Sequence, residues 1–155
     1  MADVLSPKQR SYCMSRIRGK DTKPERLIRK GLFALGFRYR LHKRSLPGCP
    51  DLVFPKYRAV IFVHGCLWHK HQCDLFRWPK TNAEFWRRKI TKNSENDARN
   101  LAKLNSAGWR VLVVWECVLR GKHKLGNERV IDRIARWLPS AQRRSEIQIK
   151  RKEGR

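Results

Sequence analysis

The segment Trp109–Trp115, WRVLVVW, is an almost uninterrupted run of β-branched and aromatic residues, and it predicts a buried strand. A second apolar run, Arg58–His64 (RAVIFVH), precedes it, and helical patterns fill the sequence between the two. Strands joined through helices are expected to lie parallel through a right-handed crossover. Their carboxyl ends then meet at one edge of the sheet, which is where parallel sheets place active sites.

Outward from these strands, the remaining patterns predict an α/β domain. Apolar residues recur at helical spacing from Leu27 to Leu35, after a Thr22-Lys-Pro-Glu25 segment with the spacing of a capping box. The predicted elements are a helix at about 22–36, strands at 37–41, 51–54 and 58–64, helices at 81–90 and 93–107, a strand at 109–115 and a helix at 127–138.

The chain is strongly basic. Its 155 residues include 37 Lys and Arg against 13 Asp and Glu, a formal net charge of +24. This charge disfavours an acidic protein or a neutral metabolite as the target and favours nucleic acid. No apolar run approaches the roughly 20 residues of a membrane span, and the start lacks a signal-peptide pattern. We therefore expect a soluble intracellular protein without a membrane partner.

The length suits one domain with two basic ends. We expect residues 1–20 to form a basic arm that contacts nucleic acid, residues 21–138 to form the folded domain, and residues 139–155 to be a basic, disordered tail. Aromatic residues interleaved with the basic ones suit stacking on nucleotides, although several of them are expected in the core.

Three potential metal ligands lie in one polar loop, where Cys66, His71 and Cys73 have the pattern Cys-x4-His-x-Cys. Cys117 follows the second apolar strand just as Cys66 follows the first, so parallel strands would bring the two together. The set predicts a tetrahedral Cys3His zinc site, which is structural because no coordination position stays open. By spacing alone, His69 is an equal alternative to His71, and buried or unpaired thiols are the alternative to a metal.

A second candidate site lies on the predicted hairpin, which Asp51 begins and His64 ends. If Phe54 pairs with Arg58 across the turn, Asp51 lies opposite the end of the second strand. Its carboxylate and the backbone carbonyl near Val63 are then placed to share a hard cation such as Mg²⁺. The pattern resembles the hairpin of restriction-enzyme-like nucleases, although the Glu-x-Lys of generic members is missing.

Other candidates also have structural interpretations. Glu25 sits at the fourth position of the capping box, and Asp97 alone would be a solvated residue in mid-helix. A lone His64 at a strand end would usually be a core histidine. Only their expected convergence with Asp51 at one edge of the sheet favours chemistry for these residues.

Several motifs together resemble one narrower family. They are VIFVHGCLWH at 60–69, followed by His71 and Cys73, SLPGCPD at 45–51, EFW at 84–86, Lys89-Ile90, Asn93, Asp97, and GWRVLVVWEC at 108–117. This combination is similar to the Vsr family, the DNA mismatch endonucleases of very short patch repair. The resemblance spans about residues 10 to 138. It implies a restriction-endonuclease-like fold, a mixed central sheet flanked by helices, with a structural zinc site.

The resemblance also implies an activity. A Vsr-like enzyme would use Mg²⁺ to nick duplex DNA 5′ of the thymine in T:G mismatches, which arise when 5-methylcytosine deaminates. The implied catalytic residues are Asp51 with the carbonyl of Val63 on Mg²⁺, His64 and His69 at the attacking water and phosphate, Asp97 orienting a histidine, and Glu25 in the outer shell. The implied zinc ligands are Cys66, His71, Cys73 and Cys117. The implied DNA-wedging residues are Met14, Leu67, Trp68 and Trp86.

Two positions depart from the family pattern: Val63 stands where a hydroxyl residue can occur, and Leu67 where an aromatic is expected. A backbone ligand survives the first change, and the second converts stacking into apolar wedging. The alternative to an enzyme is a non-catalytic zinc-stabilised DNA- or RNA-binding protein. Beyond double-stranded DNA, mismatch-repair proteins and a cognate cytosine-5 methyltransferase are candidate partners. We expect a monomer in the bacterial cytoplasm that acts on the nucleoid.

Overall fold

The computed structural model describes residues 22–149, and within them five strands form one sheet. The helices are α1 (Lys23–Ala34), α2 (Ala83–Ser106) and α3 (Asn127–Trp137). The strands are β1 (Arg40–Leu41), β2 (Leu52–Phe54), β3 (Ala59–His64), β4 (Arg110–Trp115) and β5 (Arg144–Ile147). The predicted α/β class is therefore confirmed. No helix among these residues is long and apolar enough to cross a bilayer.

The sheet is mixed, with the strands adjacent in the order β1 to β5. The first three strands pair antiparallel, and β3, β4 and β5 pair parallel. The predicted parallel pairing of the two apolar strands is confirmed, with His64 opposite Trp115 at their carboxyl ends. Nearly every residue of β3 and β4 is buried, as expected for central strands covered on both faces.

Helices α1 and α3 pack against each other. Gly31 makes the contact possible, because a Cβ at this position would come within 2.6 Å of the Ile131 side chain. The antiparallel hairpin of β2 and β3 turns through residues 55–57, and Arg58 takes the left-handed conformation there (φ 46°). Phe54 therefore pairs with Ala59, one residue beyond the predicted partner, and the register still sets Asp51 beside the end of β3.

Two boundary predictions were wrong. The region predicted as two helices is the single helix α2, which the buried residues Ile90 and Leu104 fix to the core on both sides of the expected break. The helix also begins at Ala83 and not at residue 81, after Asn82, which has φ 51° and makes no capping hydrogen bond through its side chain.

The tail prediction was also wrong in part. Residues 144–147 form β5, which pairs parallel with β4 from Val111–Arg144 to Val114–Ile147. The sequence did not indicate this strand because its side chains are mostly polar and only Ile147 is buried. Backbone hydrogen bonds to β4 hold it in the sheet. Residues 150–155 lie outside the described part of the chain, and so does the predicted arm of residues 1–20.

Candidate active site and metal centre

The carboxyl edge of the parallel strands carries both candidate sites. Because His64 and Trp115 are register partners, the chain leaves β3 and β4 side by side. The loop after β3 carries Cys66 through Cys73, and the 3-10 turn after β4 carries Cys117. Helix α2 runs past the same edge and supplies Asp97.

The ligand atoms of Cys66, His71, Cys73 and Cys117 all lie within 4.8 Å of one another, and the four side chains are buried. The three cysteines are free thiols. A hydrogen bond from Cys66 to the Cys117 sulfur lowers the pKa of Cys117 to about 4, and the same bond raises the pKa of Cys66. A buried cluster that favours a thiolate, with three sulfurs and one imidazole, fits a tetrahedral zinc ion.

His71, and not His69, is the histidine beside the three cysteines. Its Nδ1 lies 3.6 Å from the Cys117 sulfur. On its other side, Nε2 lies 2.8 Å from Gln148 Oε1. The ring stacks on Trp115, with centroids 4.1 Å apart and planes 11° apart. These contacts point the Nδ1 atom of His71 towards the sulfurs. That is the orientation in which His71 could bind the same metal ion as the cysteines.

His69 lines a cavity of about 400 Å³ together with Asp51, His64 and Asp97. Its Nδ1 makes a short hydrogen bond with Asp97 Oδ2. Its ring lies flat on that of His64, with centroids 3.8 Å apart. A carboxylate on Nδ1 fixes the tautomer with Nε2 unprotonated, which is the state a general base requires.

His64 is almost fully buried between its neighbours. Burial, followed by the charges of His69 and His71, holds the pKa of His64 well below its ordinary value, so the ring is neutral near pH 7. Within the described residues its Nδ1 has no hydrogen-bond partner. The ring also meets Trp115 edge to face at 5.2 Å. Stacked and edge-on rings therefore connect His69, His64, Trp115 and His71 into one continuous aromatic array.

Asp51 lines the same cavity. Its Oδ2 accepts a hydrogen bond from the Val63 N–H at 2.7 Å. Burial raises its pKa to about 6, against the lowering effect of that hydrogen bond, and the nearby Glu25 adds to the increase. In a strand the N–H and C=O of one residue point to the same side. The Val63 carbonyl therefore faces the side on which Asp51 lies, as the predicted cation site requires.

Glu25 is buried although it is a carboxylate, with only 1% of its surface exposed. Its Oε1 lies 2.6 Å from His42 Nε2 and 3.4 Å from Arg29 Nη1. His42 Nε2 in turn lies 3.9 Å from Asp51 Oδ1. The capping-box interpretation of Glu25 was wrong, since Thr22 makes no capping hydrogen bond through its side chain and the carboxylate is turned to His42.

The sequence reasoning missed His42, which joins Glu25 to Asp51 in a cluster of three potential ligands. The signal that could have found it is the register of β1 and β2. Leu41 pairs with Leu52, so the next residue outward on β1 is adjacent to Asp51, and the His42 N–H donates to the Asp51 carbonyl at 3.2 Å.

Three aromatic side chains form a partly exposed cluster near the start of α2. Trp68 and Trp86 meet at 5.5 Å between ring centroids, and Phe85, which the sequence reasoning did not select, meets Trp86 at 5.3 Å. Asn93 donates to the Trp68 carbonyl at 3.2 Å and so ties the loop to the helix. Leu67 is half-buried in the same loop, and Met14 lies outside the described residues.

Known proteins are similar to this chain in sequence. A family model described as DNA mismatch endonuclease Vsr matches residues 2–75. The chain is 47% identical over 138 residues to the DNA mismatch endonuclease Vsr of Escherichia coli, covering 89% of this chain and 88% of that protein. The chain belongs to the Vsr family of DNA mismatch endonucleases.

Nicking enzymes are among the other relatives. The chain is 49% identical over 119 residues to the type II nicking enzyme V.XorIIP of Xanthomonas oryzae pv. oryzae, covering 77% of this chain and 88% of that protein. It is 45% identical over 141 residues to V.NmeAIP of Neisseria meningitidis serogroup A, covering 91% and 99%. This Vsr-family chain is therefore a DNA endonuclease.

The part matched by the Vsr model ends at residue 75, before two residues on which the sites depend. Asp97 comes from α2 and Cys117 from the turn after β4, and the fold brings them to His69 and His71 respectively. The two sites of this Vsr-family chain are thus assembled from both halves of the sequence.

Proposed function

We propose that this chain nicks one strand of duplex DNA on the 5′ side of the thymine in a T:G mismatch, with Asp51 holding Mg²⁺ and His69 acting as the general base. The observation that carries the proposal is that a half-buried carboxylate and an oriented histidine line one cavity at the carboxyl edge of the sheet. A protein that only bound DNA would have no use for either group beside a phosphate.

The Asp51 carboxylate and the Val63 carbonyl are the donors that suit Mg²⁺, which prefers oxygen ligands and keeps several waters. Val63 contributes only through its backbone, so the departure from the hydroxyl residues of the family leaves this role intact. When bound, Mg²⁺ would stabilise negative charge on the phosphate and lower the pKa of bound water. A cation also favours the ionised form of Asp51, whose pKa burial raises to about 6.

His69 is the better base of the two stacked histidines. Asp97 holds the Nδ1 proton, which leaves Nε2 able to take a proton from the attacking water and stabilises the imidazolium that forms. His64 lacks a carboxylate partner, and burial keeps its ring neutral. We assign His64 to the phosphate side of the cavity, with its ring fixing the plane of His69 by stacking.

Glu25 and His42 would act on Asp51 from behind the cavity. The buried Glu25 carboxylate accepts from His42, and the His42 ring also lies near Asp51. Removal of either group would leave the other with a buried, poorly paired polar atom. This pairing supports the outer-shell role proposed for Glu25 better than a role in capping α1.

The aromatic cluster of Trp68, Trp86 and Phe85 would meet the base stack, with Leu67 wedging as an apolar side chain. Apolar wedges kink duplexes in other DNA-binding proteins. The Lys89 ammonium lies 5.6 Å from the Trp86 ring centroid. A positive charge beside the aromatic cluster would attract the phosphate backbone of the DNA. The basic arm at 1–20 and Met14 within it would add further DNA contacts around a catalytic domain at 21–138.

Zinc in the Cys3His cluster would be structural, since four protein ligands fill a tetrahedral site. It would fix the loop after β3, which carries His69 only two residues from His71. The fold supports a restriction-endonuclease-like architecture. Its antiparallel hairpin of β2 and β3 is followed by the parallel strand β4, with helices flanking the sheet. A monomeric state, repair-protein partners, a methyltransferase partner and action at the nucleoid stay predictions.

The experiment is a strand-specific nicking assay on matched duplexes that differ only in one T:G or T:A pair. We expect a nick in the T strand of the T:G duplex with Mg²⁺ present and none in the T:A duplex. Asp51→Ala should abolish the nick and keep mismatch binding, while Asp132→Ala, an exposed acidic control on α3, should cut normally. Equal cutting without Mg²⁺, in protein that retains its zinc, would contradict the metal assignment.

A further inference from the structure

Gln148 and Ile149, the two residues after β5, make polar contacts with the Cys/His cluster, and the Ile149 carbonyl lies 3.7 Å from the Cys117 sulfur. The Gln148 side chain reaches His71, with Oε1 at 2.8 Å from Nε2. The next backbone N–H, that of Ile149, donates to the Cys117 sulfur at 3.4 Å. Both residues directly follow β5, so the parallel pairing of β5 with β4 aims them at the cluster.

The orientation of the Gln148 amide is fixed at both ends. Its Nε2 donates to Glu146 Oε2 at 3.1 Å, and a carboxylate can only accept. The amide oxygen must therefore face His71 and accept the Nε2–H of that ring. With the proton held on Nε2, Nδ1 carries the free lone pair and faces Cys117.

The Ile149 N–H serves the sulfur rather than the imidazole. A hydrogen bond donated by the backbone to a thiolate stabilises its charge, and a thiolate is the form that binds a metal. Strand β5 has little else to hold it besides its ladder with β4, because three of its four side chains are not buried. Its position and the state of the cluster are therefore connected through residues 148 and 149.

We propose that Gln148 is a positioning residue of the metal centre, which holds His71 in its ligating tautomer, and that docking of β5 and metal binding stabilise each other. This inference rests on the proposed zinc site and goes beyond it, because it brings the carboxyl-terminal strand into that site. Hydrogen-bond partners of ligating histidines typically change metal affinity by about 10–100-fold when removed.

The test measures zinc affinity of the full chain by competition with a chelator of known affinity. Gln148→Met keeps the length of the side chain and loses the acceptor, so it should bind zinc about 10–100-fold more weakly. Gln148→Glu restores an acceptor for the His71 N–H but sets a second carboxylate beside Glu146, so its zinc affinity should lie between those of Gln148→Met and the parent. Gln142→Met, at an exposed position just before the strand, is the matched control and should not change affinity.

Hydrogen exchange of residues 144–149 supplies the second readout. Zinc should slow exchange there in the parent and in Gln148→Glu, and the effect should be smaller in Gln148→Met. Parent-like affinity in Gln148→Met, or equal losses in all three variants, would overturn the inference. A parent chain that folds and nicks without binding zinc would refute the zinc site itself, which is a different result and leaves the nuclease assignment standing.

Discussion

Replacement of Asp51 by asparagine should make the protein more stable while it stops the reaction. The carboxyl has a pKa of 3.8 in the unfolded chain and about 6 in the folded one, because burial disfavours its charge. Two pKa units at about 1.36 kcal/mol each mean that the ionised carboxylate costs the folded state about 3 kcal/mol at pH 8. Asp51→Asn removes this cost, since a neutral amide occupies nearly the same space.

The sign and the pH window follow from the raised pKa. The folded state takes up a proton more readily than the unfolded state, so the penalty grows as pH rises through about 4 to 6 and is constant above. The gain in unfolding free energy should be about 3 kcal/mol at pH 8 and about 1.5 kcal/mol at pH 5. Urea denaturation at both pH values, without Mg²⁺ and with zinc retained, measures it.

The control is Asp132→Asn, which removes an exposed carboxylate and should leave stability nearly unchanged at both pH values. If Asp51→Asn is no more stable than the parent at pH 8, burial does not carry the cost assigned to it. A gain that is the same at pH 5 and pH 8 would show that packing, and not charge, is the cause.

Three further outcomes are expected. His69→Ala should slow nicking by about 10²–10⁴-fold with zinc content and melting temperature unchanged. His71→Ala should lose zinc and melt at a lower temperature. If metal analysis shows the reverse pattern, the roles of the two histidines are exchanged. The Mg²⁺ concentration needed for half-maximal nicking should rise about tenfold per pH unit below pH 6, because protons compete with Mg²⁺ for the Asp51 carboxylate. If this Mg²⁺ concentration does not depend on pH, Asp51 is not a ligand of the cation. His42→Ala should lower the unfolding free energy by about 1–3 kcal/mol because it leaves the buried Glu25 carboxylate short of a partner, and an unchanged urea midpoint would contradict this.

The central strands were predictable because their signal is strong and local. Nearly continuous β-branched and aromatic runs indicate β3 and β4, and parallel pairing of such strands follows from the helix between them. The convergence of Cys66 and Cys117 depends only on that pairing, so the cluster could be predicted before its geometry was known. The position of Asp51 was predictable for a similar reason. The predicted register of the hairpin differs from the observed one by one residue at the turn, and both registers bring Asp51 to the end of β3.

The remaining features depend on contacts that residue spacing does not encode. His69 and His71 have equivalent spacing to the cysteines, and what separates them is Lys70 between them, whose backbone is left-handed with φ 55°. Strand β5 has little apolar signal, because its stability comes from the backbone ladder with β4. His42 joins the active site only through the register of a two-residue strand.

Trp115 contacts histidines of both sites, so a substitution there would affect both sites at once. One side of its ring supports the imidazole at the cysteines, and its contacts with His64 support the imidazoles of the cavity. A smaller side chain there would loosen metal retention and catalytic alignment in a single step, so neither property can be tuned at this position without the other. Variation aimed at activity alone belongs on α2 at Asp97, which meets His69 and lies in a different group of potential ligands from Cys66, Cys73 and Cys117.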